Sequence, residues 1–153
     1  MSDAGGFDIR DRHPLEDYLL ETFEIDRSAL NRLALFLLAH VLIDTRLISV
    51  ALLKAVSEGG GLSLTEIEGI ADKFGKGTFG PHLDRVRTLI PSRCVEIAEK
   101  VNDTRNGLLH WRRERAFRSA DYNGQDVTTE TGFGPCMDDV LEFIQTVPFN
   151  MPQ

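Results

Sequence analysis

SALNRLALFLLAHVLIDTRLISVALLKAV, residues 28–56, is the stretch whose reading decides the fold. It holds neither proline nor glycine, the two residues that most often interrupt a helix. Apolar side chains at Leu30, Leu33, Leu37, Val41 and Ile48 keep a helical period, and Ala34, Leu38 and Leu42 widen the stripe. The spacing predicts one long helix. Ser28 stands where a side-chain oxygen can accept a hydrogen bond from an unpaired N–H of the first turn. A helix this apolar over most of its girth belongs at the centre of a bundle or in a dimer interface. Gly59-Gly60-Gly61 is expected to end it, because glycine accepts the left-handed conformation that closes many helices.

The segments on either side continue the helical theme. Residues 1–13 read as a flexible N-terminal arm, with Gly5-Gly6 and mixed charge. Pro14 suits a first helical turn, and Leu15, Tyr18, Leu19 and Phe23 give a short amphipathic helix after it. Ser63-Leu-Thr-Glu66 is a capping-box pattern that starts another short helix, through Ile67 and Ile70 to about Gly75. Gly75-Lys-Gly-Thr-Phe-Gly80 spells GxGxxG, but a dinucleotide fingerprint needs a strand before it and a helix after it. A helix precedes this one, so the reading is a glycine-rich joint. Pro81 opens the next helix, with Leu83, Val86, Leu89 and Ile90 inward, and Pro91 stops it or kinks it. Ser92 can cap a last long helix at about 93–117. Residues 118–135, rich in Gly, Thr and Asp, read as an irregular loop before a short helix at 137–146 and a tail. The expected architecture is all-α: a single up-and-down antiparallel bundle of four to five main helices over residues 14–153, with an irregular C-terminal segment.

Bulk composition narrows the function classes. A chain of 153 residues, 42% hydrophobic and 27% charged, is long enough for one self-sufficient core. Net charge is −7, which argues against a general nucleic-acid coat, since phosphate binding needs concentrated Lys and Arg. A local basic patch exists nevertheless, at Arg112, Arg113, Arg115 and Arg118, where cations also suit a helix C-terminus. Cys94 and Cys136 form no CxxC pair, so a reducing compartment is expected. The polar N-terminus lacks the apolar core of a signal peptide. His40 interrupts the longest apolar run, so the expected location is cytoplasmic, without a membrane span.

The chemistry concentrates in NDTRNGLLHWRR, residues 102–113. The inward stripe of the last long helix runs Cys94, Ile97, Ala98, Val101, Arg105, Leu108, so Arg105 falls where the period asks for an apolar residue. An arginine there needs a partner or a task. Asn106 and His110 are four apart and share a face. Arg105 is rotated from His110 by over a third of a turn, and about 7.5 Å separates them along the axis. One helix alone therefore does not close both groups on one phosphate. Two copies across a twofold axis would present both pairs to a shared cleft. The fitting chemistry is attack of an RNA 2′-hydroxyl on its own phosphodiester. His110 would act as general base and its symmetry mate as general acid, Arg105 would stabilise the phosphoryl charge, and Asn106 would orient the histidine or a phosphate oxygen. No metal or other cofactor is required. The bland alternative is that Arg105 pairs with an acidic neighbour such as Asp44. His40 and Asp44, four apart, offer two metal ligands without an evident third; Asp44 or Asp103 can instead support the arginine–histidine site. Trp111 could stack on a base. His13 and His82 show no partner in the sequence.

A mostly helical chain whose last long helix carries Arg-polar-x-x-x-His resembles the HEPN superfamily, with Arg105, Asn106 and His110 as the matching residues. The likeness covers helix order from about residue 28 to 117. It implies an up-and-down bundle that dimerises through these helices. It further implies a metal-independent endoribonuclease acting on single-stranded RNA, as a toxin or defence component, with an antitoxin or regulatory protein as partner. Other members of the superfamily are non-catalytic, which leaves a second expectation open: an interaction or regulatory protein binding a protein partner or a nucleotide.

Overall fold

A computed structural model describes residues 28–109 and 121–147. The expected N-terminal arm and first helix, the basic cluster at 112–118, His110, Trp111, His13 and the tail beyond Val147 lie outside the described residues.

The long apolar stretch forms α1, Ala29–Glu58, a helix of 30 residues. By length and composition α1 is also apolar enough to cross a bilayer. In the fold it is the central helix, packed by each of the other four described ones. Its buried face is Ala29, Arg32, Leu33, Phe36, Ala39, His40, Ile43, Leu47 and Ala51. The expected stripe was out of phase: Leu30, Leu38, Val41 and Leu42 are exposed. A helix apolar on every side has too little amphipathic contrast for its period to say which side turns inward. Ser28 sits in helical conformation and makes no side-chain cap. At the other end Gly59 stays helical, and the positive φ values fall on Gly60 (55°) and Gly61 (104°).

α2, Leu64–Gly75, starts on the expected box. The Ser63 N–H donates to Glu66 Oε2 at 3.0 Å, and the Glu66 N–H donates to Ser63 Oγ at 3.2 Å. The glycine-rich joint follows, then α3, Phe79–Val86, which ends before Leu89; that residue is exposed, while Ile90 is buried. α4, Ser92–Leu109, buries Cys94, Ile97, Ala98, Val101 and Leu108 as expected, with Val95 and Thr104 in addition.

The segment expected to be an irregular loop holds a small antiparallel hairpin instead. β1, Asp121–Tyr122, pairs with β2, Gln125–Asp126, across Asn123 (φ 50°) and Gly124 (φ 79°). Asn-Gly is the dipeptide that tolerates positive φ at both central positions of such a turn. α5, Glu130–Thr146, begins seven residues earlier than expected and contains Pro135. Thr129 caps it, accepting from the Gly132 N–H at 3.2 Å. Gly132 packs so closely on the Asp126 carbonyl that any Cβ would collide with backbone there. The hairpin and α5 therefore form one unit, which Arg32 ties to α1 by donating from Nε to the Thr128 carbonyl at 2.5 Å. Arg46 does the same at the far end of α5, donating to the Ile144 carbonyl at 2.9 Å. A cation at that end also favours the helix dipole. Both cysteines are free and buried; burial pushes the Cys136 thiol up to about 12.

Candidate functional site

A polar seam runs between α1, α3 and α4. Helical spacing builds it. His40 and Asp44 are four apart on α1, Phe79 and His82 are three apart on α3, and each pair therefore shares a face. The two faces meet in register. The His40 ring stacks on Phe79 with centroids 4.6 Å apart and 25° between planes. One turn further along, His82 Nδ1 lies 2.6 Å from Asp44 Oδ1. His82 is 3% exposed and Asp44 28%, so the imidazole is sealed from solvent while the carboxylate stays within reach of water.

The third side of the seam is α4, which supplies Asn102, Arg105 and Asn106. His40 Nε2 lies 3.1 Å from Asn102 Oδ1. With its proton on Nε2 the imidazole donates and the carboxamide oxygen accepts. Burial holds the His40 pKa below its usual value, and the nearby Arg105 charge adds to that, against the raising effects of Asn102 and Asp44. Its ordinary form near neutral pH is therefore the uncharged ring that this bond uses.

Arg105 is half-buried, and its recorded side-chain contact is with the Asn106 carboxamide oxygen at 3.4 Å. Among the described residues it forms no ion pair. The pairing with Asp44 weighed from the sequence is not what the structure shows: Asp44 is taken by His82. That same contact corrects the expectation that His82 lacks a partner. Among the described residues its neighbours are neutral hydrogen-bonding groups, and a guanidinium so placed can bind a phosphate oxygen.

The structure thus brings Arg105 and Asn106 together and places them beside His40 and Asn102. His110 lies outside the described residues. Asp103 is exposed. Among the described residues no group of three or more His, Cys, Asp or Glu side chains is placed to hold a metal ion. The sequence reading missed Asn102, whose signal was its spacing of three and four from Arg105 and Asn106.

On the other edge of α1 lies a second surface, an apolar groove of about 370 Å³ between α1 and α5. Leu35, Leu38, Leu42, Met137, Leu141 and Ile144 line it. No protein-family model, curated protein or solved structure matches this chain.

Proposed function

We propose that this protein is a metal-independent endoribonuclease of HEPN type, working as a homodimer on single-stranded RNA. The observation that carries the proposal is Arg105: half-buried, without a carboxylate partner among the described residues, and next to Asn106, the two residues that open the R-N-x-x-x-H pattern in the sequence. In the reaction, His110 of one subunit takes the proton from a ribose 2′-hydroxyl. The 2′-oxygen forms a bond to phosphorus and the P–O5′ bond breaks. The departing 5′-oxygen receives a proton from the other subunit's imidazole. Arg105 stabilises the extra negative charge on the non-bridging oxygens. The products end in a 2′,3′-cyclic phosphate and a 5′-hydroxyl, with no net consumption of protons.

The deciding experiment incubates purified protein with RNA in EDTA and compares wild type with His110→Ala and Arg105→Ala. Cyclic-phosphate ends that vanish in both variants, at wild-type folding, support the nuclease. Equal cleavage in all three samples would mean a contaminating enzyme and end the proposal. The exposed apolar groove favours a second reading, an interaction protein without turnover. That reading, with a protein partner or a nucleotide as ligand, gains if RNA stays intact in all three samples at wild-type folding.

A further inference from the structure

Both asparagines of the seam have their oxygens occupied from within the protein. His40 Nε2 sits on Asn102 Oδ1 at 3.1 Å, and Arg105 donates to Asn106 Oδ1 at 3.4 Å. Neither carboxamide nitrogen carries a hydrogen bond among the described residues, and both side chains are only half-buried. A carboxamide oxygen that already accepts one bond has a single lone pair left, while both N–H donors of its NH2 stay open. Asn102 stands three residues before Arg105 and four before Asn106, so on α4 it neighbours both, and the three lie within about 6 Å along the axis. The face therefore presents two NH2 groups and a guanidinium, and its open donors outnumber its open acceptors. Such a row suits a ligand that only accepts, and a phosphodiester is one.

We infer that His40 is a positioning residue of this site: by capturing the Asn102 oxygen it turns that side chain's two N–H donors toward the phosphate that Arg105 binds. The position of His40 is itself fixed. The Phe79 ring lies against one face of the imidazole, so Nε2 points at Asn102 rather than sweeping the seam. His40 then acts through Asn102 and needs no contact with RNA. The inference rests on the nuclease reading only in taking an RNA backbone as the ligand, and it concerns binding rather than turnover.

The test measures binding of a fluorescent 2′-O-methyl oligoribonucleotide, which lacks the attacking hydroxyl and cannot be cleaved. His40→Leu removes the donor, and Asn102→Ala removes the group it holds. Each should weaken binding about tenfold, and the double variant should lose little more than either alone, the signature of two residues acting as one unit. His40→Gln keeps an N–H donor for Asn102 Oδ1 and should stay within about twofold of wild type. Asn102→Asp separates positioning from mere packing. It still accepts from His40, so a structural role would be satisfied, yet it puts a carboxylate where the donors were and should cost more than the alanine variant. Thermal melting of each variant checks that the fold is intact. Arg105→Ala serves as the control on the underlying reading: it should lose affinity and lower the salt dependence by about one phosphate contact. If Arg105→Ala binds like wild type, the phosphate reading itself fails. If Arg105→Ala loses binding while Asn102→Asp and His40→Leu do not, the phosphate site stands and the role given to His40 is overturned.

Discussion

Arg93 and Arg105 stand on the same helix, about 18 Å apart along its axis, and the protein treats them in opposite ways. Arg93 meets three carboxylates: Asp139 at 2.8 Å, Glu142 at 3.1 Å and Glu96 at 3.4 Å. Two of these belong to α5, so the charge of Arg93 helps clasp α4 to α5. Asp139 is fixed in turn by the Tyr122 hydroxyl, which donates to it at 2.6 Å. Burial, reinforced by the Asp139 carboxylate, pushes the Tyr122 pKa well above its usual value and keeps the phenol a donor. Arg105 meets a neutral carboxamide and nothing acidic among the described residues. The acid nearest in sequence logic, Asp44, is spent on His82. The contrast separates a cation committed to holding two helices together from one that the described residues leave uncommitted. A guanidinium surrounded by its own counter-ions has no charge left for a ligand, while a sheltered one without them keeps it.

The largest effect should come from breaking that contrast directly. Arg105→Ala should lower RNA cleavage by at least about a hundredfold, the scale seen when one group stabilising transition-state charge is removed, and leave melting close to wild type. Arg93→Ala should leave cleavage near wild type and act only on melting, weakly, because its pairs are exposed and screened by solvent. Product ends resolved on a denaturing gel, with melting curves alongside, compare the two. Equal loss of cleavage in both variants would erase the distinction between them.

A smaller effect is expected from the acids that each region commits. Tyr122→Phe removes a hydrogen bond from a buried hydroxyl to a carboxylate and should cost about 1.5–3 kcal/mol of stability, with RNA binding unchanged. His82→Leu should cost less, about 1 kcal/mol, because the half-exposed Asp44 can be rehydrated. Its more telling consequence is on binding. The freed Asp44 carboxylate shares the surroundings of His40 with Arg105. It should compete with RNA for that guanidinium, and Asp44→Asn in the His82→Leu background should restore affinity. Chemical denaturation and probe binding measure the two consequences separately. Binding that is unaffected by His82→Leu would mean Asp44 does not need to be held away.

The all-α architecture was legible because it depends on periodicity, caps and breakers that sit close together in the chain. Residues 28–56 without a proline or glycine, the Ser63–Glu66 box and Pro91 each specify a local event. What required non-local contacts was harder to read. The phase of α1 was missed because leucines surround it, and only the packed neighbours decide which ones are buried. The hairpin was missed although Asn123-Gly124 announced it, since strands of two residues carry no alternation to notice. Pro135 hid the first turns of α5, because proline usually marks an end; Thr129 and Gly132 show that the helix had already begun. At the site, Arg105 stood out as a charge on an apolar stripe, and α4 buries that stripe around it. His40, Asp44 and His82 were visible as residues but not as a constellation, because the pairing of α1 with α3 is a fact of packing over 38 residues of chain.

The smallest effect is the sharpest probe of where the charge of Arg105 reaches. The pKa of His40 is lowered first by burial and further by Arg105. In the unfolded chain the ring titrates near its ordinary value of about 6.5, so on acidification the unfolded state takes up a proton before the folded state does. The neutral buried ring therefore contributes its full stability above that pH, and the contribution is lost as pH falls through the unfolded value toward the lower folded one. Urea denaturation at intervals from about pH 7.5 down to 5 should show stability falling along this limb, and His40→Phe should flatten it. Arg105→Met removes one of the two lowering causes and should shrink the pH dependence without abolishing it. Arg93→Met, at the other end of the same helix, should leave the limb as it was. An identical response to both substitutions would show that the two guanidinium groups act on His40 only as distant net charge. In that case the neighbourhood of Arg105 and His40, on which the seam depends, would have to be given up.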